Sequence, residues 1–329
     1  MQHAVELSGA SGNRLDALFS APAPAVGFAV LCNLLWGCAF PFIKLGYRLF
    51  AIRTGDTPAL LCFAGVRFLL GGALVWCFGS LLRRRPLALP RSPALLAECC
   101  ALGLWQTTAQ YFFYYTAVAR LTGAFGSILN ASSSFLGVLM AHFLYGKADR
   151  LTPRKALGCA LGFAGVLAAT LGNTGGGSAA GIAAMLGATL LFTLAGPWNK
   201  RLNARADSFA VCAVNLTVGG AVLLALGLLG GGRLRLAAQN RAAGAVVLLF
   251  LAFISAAGYL LWALLMKNNP VSRISVFGLL IPVVTTLLSA LLNGEPLWQW
   301  QYLAALALVC TGILLVNRPA RVHREEDPA

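Results

Sequence analysis

The sequence predicts an all-α membrane protein: ten transmembrane helices, arranged as two copies of a five-helix unit in inverted topology. Three observations predict it. The 329 residues are 59% hydrophobic and only 11% charged, with a mean hydropathy of +0.77. A water-soluble domain lacks the means to cover so much apolar surface with so few charges, so lipid must cover it. Polar breaks divide the chain into apolar runs of roughly 18–28 residues, enough to cross a hydrocarbon core of about 30 Å. Spanning backbone must satisfy its own hydrogen bonds, and runs of this length make the spans helices rather than barrel strands. Finally, the chain repeats itself. FAGVRFLLGGALV at 63–75 aligns with VCAVNLTVGGAVL at 211–223, a shift of 148 positions. The same shift pairs Tyr111 with Tyr259, Tyr114 with Trp262, Ser127 with Ser275, Ser134 with Pro282 and Gly146 with Gly294. Five spans per copy is an odd number, so the second copy enters the membrane from the opposite side.

The first span, 25–46, carries Asn33, Trp36 and Gly37 on one face by three- and four-residue spacing, then Pro41 and Lys44. Pro41 removes a backbone donor and allows a kink. Lys44 is expected to snorkel to the headgroups. The second, 59–81, holds Arg67, the one basic residue near mid-membrane. A charge there is costly and marks a functional candidate, for a carboxylate or phosphate; the other reading has it gripping backbone carbonyls or pairing with Glu98. Its repeat counterpart is the uncharged Asn215.

The third span, 93–118, reads WQTTAQYFFYY over 105–115. Helical spacing puts Gln106, Gln110 and Phe113 on one face. Buried amides are costly without partners, so they should face a cavity or another helix. Tyr111 beside them would stack on an amphipathic solute, while Tyr114 and Tyr115 also suit an interfacial aromatic belt. The fourth, 123–145, has Ser127, Asn130, Ser132, Ser133 and Ser134, with Asn130 and Ser134 one turn apart. These residues either bind a ligand or let helices pack closely.

The fifth span, 154–172, closes the first copy. The sixth, 179–199, echoes the first at a shift of 156, with Thr189, Phe192, Pro197 and Lys200 for Asn33, Trp36, Pro41 and Lys44. The seventh, 208–230, repeats Gly71-Gly72 as Gly219-Gly220, where helices can slide closely. The eighth, 242–266, supplies Tyr259 and Trp262; the ninth, 271–292, Ser275 and Pro282; the tenth is 299–317. Residues 173–178 form a glycine-rich linker. Residues 1–24, read as a mobile tail, and 318–329 are the termini; APAPA at 21–25 precedes the first apolar run and is no signal-peptide cleavage site.

The net charge of +15 does not indicate nucleic acid. Basic residues concentrate in alternate loops, such as Arg83, Arg84, Arg85 and Arg91, then Lys147, Arg150, Arg154 and Lys155. They outnumber those of the opposite loops (Lys44, Arg48, Arg53, Arg120, Arg233, Arg235 and Arg241), which places both termini in the cytoplasm. The nine cysteines lie in apolar spans and read as small buried hydrophobes.

LLWGCAFPFIKLG at 34–46, VRF at 66–68 and the closing pattern Pro282…Gly294-Glu295 with a glycine-containing final span resemble the drug/metabolite transporter superfamily, EamA type. The resemblance covers 25–172 as one copy and 179–317 as the other. It implies a five-plus-five inverted repeat, a central cavity lined by the first four helices of each copy, and a fifth and tenth helix packed outside or supporting an oligomer. It implies export of amino acids, small metabolites or drugs from a bacterial inner membrane. The chain departs from the pattern at Ser133-Ser134, where many members have proline, and at Gly146-Lys147, where many have Gly-Glu.

Inverted duplications build alternating-access carriers, with substrate bound where the halves meet. The residues expected there are Asn33, Trp36, Arg67, Gln106, Gln110, Tyr111, Asn130, Ser134, Tyr259, Trp262 and Ser275. Of the acidic residues only Glu98 falls in a span, toward its cytoplasmic end, so passive or exchange transport is expected rather than a central proton relay. No Walker loop, HExxH or GxSxG is present, so neither cofactor nor metal is expected. The expected partners are a small-molecule substrate and the bilayer, with the chain a monomer or homodimer. A membrane enzyme acting on lipid-like substrates would need clustered carboxylates or histidines, and a scaffold or receptor larger loops.

Overall fold

The computed structural model describes residues 16–90, 92–145, 151–171, 177–269, 274, 276–295 and 300–317. Among them the architecture is helical, and the one β-type contact is a bridge between Leu121 and Gly177. The helices are α1 (Pro22–Leu49), α2 (Thr57–Arg83), α3 (Pro93–Leu102), α4 (Gln110–Val118), α5 (Gly123–Asn130), α6 (Ser133–Tyr145), α7 (Pro153–Leu171), α8 (Ala179–Arg205), α9 (Ser208–Leu229), α10 (Arg241–Asn268), α11 (Leu280–Asn293) and α12 (Trp300–Asn317). A π-helical stretch, Gly103–Ala109, joins α3 to α4, and a 3₁₀ turn, Val276–Leu279, leads into α11.

Among the described residues, six helical stretches are long and apolar enough to cross a membrane: Pro22–Leu49, Thr57–Arg83, Gly123–Met140, Ala179–Arg205, Ser208–Leu229 and Ala238–Asn268. Shorter apolar helices cover Leu280–Asn293 and Leu303–Leu315. Large apolar side chains point outward, among them Leu81, Phe143, Leu229 and Leu291, each more than three-quarters exposed. That surface has the character of one solvated by lipid, and the molecule is a multi-pass membrane protein.

Local chemistry sets the helix starts. Asp56 Oδ1 accepts from the Ala59 N–H, Ser178 Oγ from Gly181, and Asp207 Oδ1 from Phe209 and Ala210. Proline opens α1, α2 and α3, where its missing N–H costs nothing. The amino-terminal segment is docked from residue 16 onward, not free as the sequence suggested. Phe19 stacks on Phe28 at 4.5 Å, and Asp16 takes Lys267 at 2.9 Å and the Asn268 amide.

The most extensive packing is α2 on α9, followed by α7 on α12; α1 lies on α10 and α11, and α8 on α4. Small residues permit the closest approaches. A β-carbon at Gly72 would collide with Thr217, and one at Gly220 would lie 2.8 Å from the Leu69 nitrogen. These contacts are reciprocal: the 148-residue shift carries 72 to 220 and 69 to 217. Gly71 lies against Ser255 and Gly219 against Thr107, again reciprocal under the shift.

Pro41 has no N–H for the Gly37 carbonyl, and the Thr285 hydroxyl of α11 donates to that oxygen at 2.8 Å. Gly37 leaves room for this crossing, since a β-carbon there would sit 2.7 Å from Val284 Cβ. The fourth predicted span is interrupted: it breaks into α5 and α6 at Ala131-Ser132. Cysteine placement departs from expectation at Cys77, which is exposed on the lipid-facing surface of α2.

Candidate functional site in the bundle interior

Three arrangements occupy the interior. The first is an aromatic cluster. Trp36 lies 5.1 Å from Trp262, 6.4 Å from Tyr259 and 6.2 Å from Phe192 between ring centroids. Tyr111 continues it to Tyr259 at 6.4 Å, Tyr114 at 5.4 Å and Phe68 at 4.4 Å. Two of these contacts join repeat counterparts, Trp36 with Phe192 and Tyr111 with Tyr259. Asn33 lies one turn from Trp36 on α1 and is 1% exposed; its Nδ2 donates to the Ala29 carbonyl at 2.7 Å and its Oδ1 has no partner among the described residues. Gln110, 6% exposed, leaves its Oε1 unpartnered beside Tyr111. Buried acceptors without donors are costly, and these two belong to residues one helical turn from Trp36 and next in the chain to Tyr111. Rings and free oxygens of this kind can stack a planar or apolar group and accept hydrogen bonds from an N–H or O–H.

The second arrangement surrounds the π-helical stretch. Gln106 Oε1 accepts from Asn199 Nδ2 at 2.9 Å and Asn215 Nδ2 at 2.8 Å. Thr107 Oγ1 donates to Asn215 Oδ1 at 2.6 Å, and Asn203 Nδ2 donates to the Asn199 carbonyl at 2.9 Å and to Asn199 Oδ1. Gln106 is thereby spent on helix α8 and helix α9, and it does not share the environment of Gln110.

Arg67 forms the third arrangement. Its Nε donates to Ser255 Oγ at 2.8 Å and the Leu251 carbonyl at 3.1 Å, its Nη1 to Tyr115 OH at 3.0 Å, and its guanidinium covers Phe68 at 5.0 Å. It is 2% exposed. Of the two expectations for this residue, the structure gives the grip on a carbonyl. Glu98 pairs instead with Arg205 at 3.0 Å. The Arg67–Ser255 bond and the Thr107–Asn215 bond exchange under the 148-residue shift. Tyr115, offered above for an interfacial belt, is fully buried.

Among the remaining candidates, Asn130 Oδ1 receives the Thr189 hydroxyl at 3.5 Å, and Ser134 is half-buried at the start of α6. Ser275 lies outside the described residues. Sequence reasoning did not bring Phe192, Asn199 and Asn203 into the interior; for Phe192 the shift of 156 that equates it with Trp36 was the available signal. Nor did it pair Lys44 with Glu295, which meet at 2.7 Å.

The EamA-like transporter family model matches residues 23–171 and again 179–318, the two halves set out by the repeat. The chain belongs to the EamA-like transporter family. As a member it resembles the "Uncharacterized transporter YvbV" of Bacillus subtilis, with 29% identity across 88% of this chain and 90% of that protein. It is 27% identical to a protein of Salmonella typhimurium named "Probable amino-acid metabolite efflux pump", over 89% of this chain and 97% of the relative. A protein of Escherichia coli with the same name is 26% identical, over 87% and 92%. A solved crystal structure superposes with a TM-score of 0.63 over 88% of this chain and 97% of its own, at 22% identity, a likeness of fold. This EamA-like protein is thus a membrane transporter by family.

Proposed function

We propose that this protein is a secondary transporter of a small organic solute, an amino acid or related metabolite, exported across the plasma membrane by alternating access. Two inverted five-helix halves, 25–172 and 179–317, rock about the crevice between them, with both termini cytoplasmic. The observation that carries this reading is the meeting of repeat counterparts, Trp36 with Phe192 and Tyr111 with Tyr259, beside unpartnered Asn33 and Gln110 oxygens. Reciprocal contacts across α2 and α9 support a twofold between the halves. Such a twofold gives two related packings of similar energy, one open to each side.

In this reading the solute lies among Asn33, Trp36, Gln110, Tyr111, Tyr259 and Trp262, with Asn130, Ser134 and Ser275 at the edge of the crevice. Arg67 and Gln106 hold its walls. The names of the two enteric relatives support the amino-acid metabolite class and outward movement.

Proteoliposomes loaded with labelled amino acids and metabolites test it. The protein should accelerate efflux of at least one solute over protein-free liposomes, and that solute should quench tryptophan fluorescence. Trp36→Ala and Trp262→Ala should remove both signals. No accelerated solute, or transport unaffected in both variants, overturns the proposal.

A further inference from the structure

Away from the aromatic crevice, at the end of the bundle where α5 begins, lies a cavity of about 360 Å³. Lys44, Arg48, Thr122, Asn293 and Glu295 line it. Glu295 bridges three parts of the molecule there. Its Oε1 takes the Lys44 ammonium at 2.7 Å, and its Oε2 takes the Gly123 N–H, the first of α5, at 2.6 Å. A helix N-terminus facing an ammonium is a favourable place for a carboxylate.

Two further donors adjoin it and are idle. The Ser289 hydroxyl is buried, in a residue 1% exposed, and has no partner among the described residues. It lies against the Gly123 backbone so closely that a β-carbon there would overlap it. The Thr122 hydroxyl, next along the chain, is also buried and unpartnered. A carboxylate has about four acceptor positions, and Glu295 is recorded with one donor on each oxygen. Neither idle hydroxyl is bonded to it. With Glu295 displaced, a free carboxylate in its place would face Lys44 and the Gly123 N–H with both hydroxyls adjoining.

We infer that Lys44, the α5 N-terminus and the Thr122 and Ser289 hydroxyls form a carboxylate-binding site, and that Glu295 fills it until a carboxylate-bearing solute competes. Arg48, which also lines the cavity, donates through Nη2 to the Leu292 carbonyl at 2.5 Å and Asn293 Oδ1 at 3.1 Å, so Lys44 is the cation that meets the carboxylate directly. Displacing Glu295 releases the corner after α11 from α1 and α5 together. The site would therefore act as a solute-operated clasp on the face predicted to be external.

The test reads binding, so its outcome is independent of the transport reading. Purified wild-type protein and Glu295→Ala are melted in detergent with benzoate or, as the uncharged isostere, benzamide, at constant ionic strength. Glu295→Ala should melt below wild type. Benzoate, and not benzamide, should raise its melting temperature, half-maximally at a concentration at least tenfold below that needed for wild type. Adding Lys44→Gln should erase that advantage. Should Glu295→Ala fail to fold, Glu295→Gln, which keeps the volume and loses the charge, carries the same comparison. Equal responses to benzoate and benzamide, or an advantage that survives loss of Lys44, overturns the site.

Discussion

Arg67 reaches three groups on two other helices with one guanidinium, and no carboxylate is among its partners. Breaking the brace leaves the buried Tyr115 hydroxyl without its guanidinium donor and the Leu251 carbonyl with only the Ser255 hydroxyl of its two side-chain donors. Arg67→Gln should therefore cost about 3 kcal/mol of stability, with a lower melting temperature in detergent. Loss of solute binding without destabilisation would instead make Arg67 a ligand. At this scale the sequence was informative about aromatics and poor about amides. Trp36, Tyr111, Tyr259 and Trp262 were legible because bulky rings recur at repeat positions. Gln106 and Gln110 were not separable, because the partners that take up Gln106, Asn199 and Asn215, lie on other helices and leave no mark in the local residue pattern.

Among the elements, α1 shows how a broken rule is compensated. Pro41 frees the Gly37 carbonyl, and Thr285 on α11 returns its hydrogen bond. Thr285→Val should cost about 1 kcal/mol in thermal unfolding. Pro41→Ala in the same background restores an N–H to that carbonyl and should recover most of the loss; additive losses would refute the compensation. The long spans were readable from apolar length alone. The break at Ala131-Ser132 and the 3₁₀ entry to α11 were not, since small hydroxylated residues fit a continuous membrane helix equally well.

For the whole molecule, the contacts Gly72–Thr217 and Gly220–Leu69 form one motif used twice. Gly72→Val and Gly220→Val should each loosen the junction of α2 and α9, to a similar extent, as read by melting temperature and by accelerated protease cleavage. A reporter fused after Val316 should score as cytoplasmic; an external signal would contradict the assigned orientation. The duplication made this level of organisation legible, because one shift of register holds across some eighty residues of each copy. The Lys44–Glu295 contact was not legible, because the corresponding acidic position in the first copy is Lys147 and the pair has no echo there.

The reciprocity has a consequence for how such a chain can be taken apart. Each half presents, on a single polypeptide, one member of every mirrored contact between α2 and α9, so the covalent connection between halves adds proximity and no complementarity. Residues 1–173 and 174–329 produced from separate messages should find each other in the bilayer, and severing the linker should slow assembly rather than prevent it. The peptide bond between the halves would then be a convenience of inheritance, and the recognition that assembles the protein would reside in the surfaces the halves present to each other, the α2–α9 junction foremost.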